Sequence, residues 1–386
     1  RVMYELLTDK LLELKNTNIF YGVVSKIEKL NERFLVNIDL VNDITNDIDE
    51  ILFAGKIKGI SYSFELIIET YNLAFLGHKG EVFKLEVLKA DNRFNIYEGR
   101  LILNTKKKFD KINPYKNKKV KVKIEKASLE YKKKYKDNLN KHLKYLANFY
   151  QINERLELPG HKQYNNRNVE VKYSQYYVGN GNCSYINIGN ISKGFFNLGF
   201  SKIYNQKVYR YSGFSNHKPD WIIISDFNRS NYCAANRYGT SDIFKCNWIF
   251  PLIEAVNINL IRLFYSIINN GGKINLLKYK ANSSVCTLAI GDVCMDIYFT
   301  SEANDDNGLC LYIEKDSKFI SFGNSDYNFM TKSLVNQQFD VIVYPAYESK
   351  YKTKVAKKKH TNYNIGRRDG FKIHRIDKLG SFICKL

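Results

Sequence analysis

Along residues 19–40 the chain reads "IFYGVVSKIEKLNERFLVNIDL", with apolar and polar positions alternating on both sides of a polar "LNER". That period of two predicts a pair of strands joined by a tight turn. The segments "SFELIIETYNLAFL", "EVFKLEVLKA", "FNIYEGRLILNT" and "KKVKVKIEKASL" repeat the pattern. They predict a mostly antiparallel β domain of about 110 residues, the size of a small barrel. Ahead of them, Met3 to Leu14 has the spacing of an amphipathic helix. The period then changes, because Tyr131, Tyr135, Leu139, Leu143, Leu146 and Tyr150 recur at intervals of three to four residues. A long basic helix is expected there, stopped by the Pro159–Gly160 break in "ELPGHK".

Strand patterns return in "NVEVKYSQYYV", "CSYINIG" and "GFFNLGF", the first two separated by a "GNGN" turn whose glycines suit positive φ. "WIIIS" is a continuous apolar run, as in a strand covered on both faces. "PLIEAVNINLIRLFYSIINNGGK" has helical spacing and a Gly-Gly stop. "CTLAIGDVCMDIYFT", "GLCLYIEKDSKFISFG" and "FDVIVYP" are strand-like, with the helix-compatible "NFMTKSLVNQQ" among them. The expected fold class is α+β, with sheets covered by helices. The sequence divides into a β-rich region with its first helix (1–127), a basic linker helix (128–160) and an α+β domain (161–386).

Length and composition fit this division. A chain of 386 residues exceeds what one core usually serves, and 44% hydrophobic residues argue against disorder. No apolar run reaches the roughly 18 residues of a membrane helix, and the charged start is unlike a signal peptide. The seven cysteines are scattered without a CxxC pair. That usage points to a reducing, cytoplasmic setting and offers no thiolate cage for a metal.

Charge adds a partner class. The net charge of +21 is concentrated in two blocks. Leu101 to Tyr145 holds 16 Lys against 4 acidic residues, and Glu348 to Lys378 holds 11 Lys or Arg against 3. Such blocks suit a polyanion such as DNA or RNA. The candidate phosphate contacts are Lys132, Lys133, Lys134 and Lys136 on the helix and Lys357, Lys358, Lys359, Arg367 and Arg368 near the end. Tyr131, Tyr135, Tyr145 and Tyr150 could stack on exposed bases. Catalytic pairings are absent by comparison. The six histidines are isolated, with no HxH or HExxH, and nothing in the spacing joins Ser225 or Ser230 to His217 as a triad. "YVGNGNCS" lacks the Lys-Ser/Thr of a phosphate loop.

Five strand-end motifs follow one another in the second half: "YVGNGN" (Tyr177 to Asn182), "FNLG" with Asn197, "SDFNRSN", "ISFGN" ending at Asn324, and "VYPAYESKYKT". Together with the tail "HRIDKLGSFICKL" they resemble, over about residues 165–386, the metallo-β-lactamase fold, and within it the hydrolase domain of DNA-uptake channel proteins. There the corresponding motifs read "DVGQGD", "IDxG", "SHxHxDH", "LLTGD", "HHGSKYS" and "TxxxGxI". The resemblance implies an αββα sandwich whose active members bind one or two zinc ions and hydrolyse with metal-activated water.

The same resemblance puts Asp226 and Asn228 at the first two histidines, Ser230 at the aspartate and Asn231 at the third histidine. Asn197 and Asn324 stand at acidic positions, and Ala346 and Tyr347 at the last two histidines. With the ligands replaced, no zinc or other cofactor is expected. The implied function is that of a non-catalytic pseudo-hydrolase, a nucleic-acid-binding and/or assembly subunit of a bacterial multi-protein system. Relatives of this subgroup occur in such systems, including phage defence. A partner protein of the same operon is implied, with "YELLTDKLLELK" as an available docking helix. Two alternatives stay open. One is a metal-dependent hydrolase or nuclease with a remade Mg²⁺ or Mn²⁺ site near Asp226, recruiting Asp305, Asp306 or Asp326. The other is a purely structural interaction subunit.

Overall fold

A computed structural model of the chain describes residues 19–30, 33–41, 64–71, 77–78, 80–88, 96–104, 115–160, 168–176, 183–199, 217–227, 231–232, 234–235, 241–252, 258–300, 308–322, 334, 339, 341–343 and 382–385. These fall into two compact units, one from 1–148 with 255–269 and the other from 149–254 with 270–386. The first helix expected at Met3 to Leu14 lies outside the described residues.

The first unit is built on six antiparallel strands: β1 (Ile19–Leu30), β2 (Arg33–Val41), β3 (Phe64–Thr70), β4 (Val82–Leu88), β5 (Ile96–Asn104) and β6 (Tyr115–Lys126). They close into a barrel in the order β1-β2-β3-β5-β6-β4, with β4 returning to β1. The "LNER" hairpin is β1–β2, with Leu30 opposite Arg33. Alternation decides the inside of the barrel. Val36, Ile38, Leu66, Ile68, Phe83, Leu85, Val122 and Ile124 are all buried, while Lys121, next to Val122 on β6, is exposed. Closure leaves no strand edge in this sheet.

Helix α1 (Leu129–Leu146) follows the barrel directly. Ser128 caps it, its hydroxyl accepting from the Tyr131 N–H at 3.2 Å. Tyr135, His142 and Leu146 form its buried face, and Tyr131 stacks on Tyr21 of β1 at 3.6 Å between ring centres. The helix is shorter than the 131–150 periodicity suggests. It ends at Ala147, and Tyr150 opens a strand paired to Ile274, because sheet pairing wins over spacing that only mimics another helical turn. Helix α2 (Ile258–Asn269) completes this unit, although the sequence division assigns it to the 161–386 domain. Its Tyr265 hydroxyl meets His142 Nδ1 at 3.0 Å, and its ring stacks on Tyr145. Buried Arg262 of α2 and buried Asp39 of β2 both act on the Tyr135 phenol. Burial raises that phenol's pKa, Asp39 adds to the rise, and Arg262 opposes it.

The second unit is a mixed sandwich. Its strands are β7 (Tyr150–Asn153), β8 (Leu156–Glu157), β9 (Val171–Gln175), β10 (Cys183–Ile188), β11 (Ser192–Leu198), β12 (Trp221–Ile223), β13 (Asn247–Pro251), β14 (Lys273–Leu277), β15 (Ser284–Ile290), β16 (Val293–Phe299), β17 (Leu309–Glu314), β18 (Lys318–Ser321), β19 (Val341–Val343) and β20 (Phe382–Lys385). One sheet runs β20-β9-β10-β11-β12-β13-β14-β7 and the other β19-β18-β17-β16-β15-β8. From β11 to β7 the first sheet is parallel, and β12 is buried on both faces, as "WIIIS" predicts.

The two sheets share one core. Val171, Ile186, Phe196, Trp221 and Ile223 of the first meet Leu288, Met295, Ile297, Leu311 and Phe319 of the second. At Gly194 the strands approach so closely that a Cβ would lie 2.2 Å from the Trp221 ring and 2.4 Å from its carbonyl oxygen. The residues drawn as the end of the linker helix instead bind both sheets. Tyr150–Asn153 pairs with β14, and Leu156–Glu157 pairs with β15. These observations establish a mixed α+β architecture with a two-sheet sandwich. No described helix is long and apolar enough to cross a membrane.

Candidate functional site

Two polar regions stand out, one in each unit. The first is a junction at the ends of β11 and β12. Asn197 is the next-to-last residue of β11 and has φ +61°, the left-handed region that asparagine enters more readily than other side chains do. This turns its amide toward the end of β12. Asn197 Oδ1 accepts the Ser225 N–H at 2.7 Å. The Asn231 amide nitrogen donates to Asp226 Oδ1 at 2.6 Å and to Ser225 Oγ at 3.3 Å. The second sheet joins in, since Leu309 N–H at the start of β17 donates to the Ser225 carbonyl at 2.7 Å. Ser225 is thus held through its N–H, its carbonyl and its hydroxyl.

Three of the positions singled out by the resemblance, Asn197, Asp226 and Asn231, therefore lie within one hydrogen-bonded group. Asn228, Ser230, Asn324, Ala346 and Tyr347 are outside the described residues, as are Asp305, Asp306 and Asp326. Ser225, the hub of the junction, is the residue that spacing does not reveal. Its role depends on backbone groups, which leave no mark in sequence.

The group is almost neutral. Asp226 is its one carboxylate among the described residues, and that carboxylate already holds an amide. Asn197, Ser225 and Asn231 are fully buried. Two of their polar atoms, Asn197 Nδ2 and Asn231 Oδ1, have no hydrogen-bond partner among the described residues. Such atoms cost free energy, roughly 1–3 kcal/mol each when left without a partner. The arrangement supplies neutral hydrogen bonding, with no imidazole against Ser225 Oγ among the described residues. His217 is committed elsewhere. Its Nε2 meets the Tyr176 hydroxyl at 3.2 Å and its ring stacks on Tyr185 at 4.0 Å. Burial lowers its pKa, and Lys193 and Lys172 lower it further. Among the described residues no three His, Cys, Asp or Glu side chains gather as a metal would require.

Beside this junction the core continues polar. The Tyr173 hydroxyl and Ser184 Oγ both reach Gln175 Oε1 at 2.6 Å, and Gln175 Nε2 donates to the Cys183 carbonyl at 3.2 Å. Ser184 faces Phe196, the neighbour of Asn197. The described strand ends of the first sheet thus carry a belt of hydrogen bonds.

The second region is the basic surface of the barrel unit. Lys84 and Lys123 pair with Glu125, and Lys132 pairs with Glu81 at 2.8 Å. The hydrogen bond from Lys132 holds the Glu81 carboxyl below its ordinary pKa, and that from Lys123 does the same for Glu125. Lys132 is therefore occupied, whereas Lys133, Lys134 and Lys136 are exposed. Lys141 and Lys144, which complete the exposed set on α1, were not singled out by the "YKKKYK" run. None of these five lysines has an ion pair among the described residues, although Glu130 and Asp137 share their face. Of the four tyrosines, Tyr135 is buried, Tyr131 is covered by Tyr21, and Tyr150 belongs to β7. Tyr145 is the most exposed of the four, at 49%. Lys357, Lys358, Lys359, Arg367 and Arg368 lie outside the described residues.

No family model matches the chain, and no curated protein matches it.

Proposed function

We propose that the protein is a non-catalytic nucleic-acid-binding subunit whose second unit is a metallo-β-lactamase-like domain adapted away from metal chemistry. The observation that carries the binding half is the outer face of α1. Five lysines there have no ion pair among the described residues, while Lys132 of the same helix pairs with Glu81 and Lys84 and Lys123 of the barrel pair with Glu125. Unpaired lysines release counterions on meeting phosphates, so the binding is salt-sensitive. What supports the other half is the junction of Asn197, Ser225, Asp226 and Asn231. It occupies the strand ends where the resemblance puts metal ligands, and it consists of mutually bonded, mostly neutral groups.

The test is a titration of labelled oligonucleotide at several salt concentrations. Binding should weaken steeply with salt, and the triple variant Lys133→Glu, Lys136→Glu, Lys144→Glu should lose most of it without unfolding. Absence of binding at low salt, or binding unaffected by the triple variant, would overturn the proposal. A protein partner belongs to the same proposal, and its signature is a complex that survives high salt during co-purification.

A further inference from the structure

The lysines of α1 are not spread evenly over its outer face. At 100° per residue, Lys134, Asn138, Lys141 and Tyr145 follow one another at i, i+4, i+7 and i+11, a single row along one flank. Lys133, Asn140 and Lys144 form a second row, with Lys136 at its outer side. Between the rows lie Glu130 and Asp137, both exposed. A broad polyanion resting on the whole face would bring its phosphates over these carboxylates. A narrow one can follow the first row and avoid them. Lys134 and Tyr145 are separated along the axis by about 16 Å, from 1.5 Å per residue, room for a few nucleotides of one extended strand.

The end of that row is an aromatic platform. Tyr145 is 49% exposed, and its ring is backed by Tyr265 of α2 at 5.7 Å between ring centres and 17° from parallel. A ring held from behind loses little freedom when a base stacks on it, and stacking tolerates any sequence because every base has a π-face. In a duplex the bases are already stacked on one another, so such a platform offers them nothing.

We propose that the flank of α1 formed by Lys134, Lys141 and Tyr145 is the path of a single-stranded nucleic acid, with Tyr145 stacking one base. This rests on the nucleic-acid reading above and narrows it to a substrate class. The lysines hold phosphates, and the tyrosine distinguishes an unpaired strand from a duplex.

The full chain is titrated with a fluorescein-labelled 15-nucleotide single strand, as DNA and as RNA, and with a duplex of the same length. The expected result is tighter binding of at least one single strand than of the duplex, by on the order of tenfold. Tyr145→Ala should weaken single-strand binding by roughly tenfold or more, the effect of losing one stacked base. It should leave duplex binding unchanged, and Tyr145→Phe should retain single-strand affinity. Because Tyr145 packs on Tyr265, thermal unfolding of each variant is measured alongside. The exposed pair Lys134→Glu, Lys141→Glu provides a second variant that leaves that packing alone, and it should weaken the single strand. If the duplex binds as tightly as the tighter of the two single strands, or if both Tyr145→Ala and the lysine pair leave single-strand binding intact, the inference fails. Salt-dependent binding that responds to Lys133, Lys136 and Lys144 would still uphold the broader reading. No binding of any oligonucleotide at low salt sinks both.

Discussion

The strand-end junction of the sandwich and the outer flank of α1 are both polar, but they use their polar groups in opposite ways. At the junction Asn197, Ser225, Asp226 and Asn231 are joined to one another by hydrogen bonds, and Ser225 also to Leu309. On α1, Lys133, Lys134, Lys136, Lys141 and Lys144 are exposed and have no ion pair among the described residues. Inward-turned groups hold strands together, and removing one exposes an unmet partner. Outward-turned charges contribute little to stability and are available to a ligand. The contrast teaches that stability and binding are carried by different residues here, so the two can be separated by mutation.

The largest expected effect tests the sandwich itself. Gly194→Ala drives a methyl group into the Trp221 ring and backbone. It should destabilise the second unit by about 3 kcal/mol or more, at or beyond the upper end for overpacking. Both tryptophans of the chain, Trp221 and Trp248, lie in that unit. Urea unfolding followed by tryptophan fluorescence therefore reports it directly. An unchanged midpoint would contradict the close approach of β11 and β12.

Asn197→Ala comes next. It strands the buried Ser225 N–H and puts a Cβ-bearing residue without a polar side chain at φ +61°. The expected cost is about 2 kcal/mol from the lost partner and the backbone strain. Asn197→Gly keeps the backbone at ease and should cost less. Equal losses in the same urea assay would assign the whole effect to the hydrogen bond.

A smaller effect comes from His217. Its folded pKa lies below its ordinary value because burial, Lys193 and Lys172 disfavour the imidazolium. The unfolded chain thus binds the proton more readily. The contribution to stability is complete above the unfolded pKa of about 6.5 and is lost as pH falls through the lower, folded value. Urea midpoints measured from pH 7.5 down to 5 should decline, and His217→Gln should flatten that decline. A wild-type profile unaltered by the substitution would remove His217 as its source.

Smallest of all should be the effect on stability of Lys133→Glu, Lys136→Glu and Lys144→Glu together, within about 0.5 kcal/mol for exposed sites. The same variant should abolish most oligonucleotide binding. If it instead unfolds the barrel unit, the division between inward and outward groups is wrong.

Much of the strand content could be read from local pattern, because alternation repeats every two residues and is present in the chain itself. The β1–β2 hairpin, the inward positions of β6 and the doubly covered β12 are of this kind. The lysines of α1 could be found too, but not which of them are free to act. Lys132 looks like Lys133 until Glu81, 51 residues away, is brought beside it. Nor could spacing tell that Tyr150 leaves the helix, since its partner Ile274 comes from a distant strand.

The sequence alone determined an antiparallel β region, a basic helix, an α+β half and a concentration of positive charge. Those properties depend on side-chain type and on neighbours a few residues apart. Only the tertiary structure decided that the barrel closes through β1 and β4, and that α2 belongs with α1 although β13 and β14 flank it in the chain. It also decided that Asn197, Ser225 and Asn231 converge, and that Tyr145 is the tyrosine of α1 left in the open. Each of these rests on pairing or packing between residues remote in sequence. Such contacts are selected by the burial and hydrogen bonding of the whole fold, and no local period encodes them.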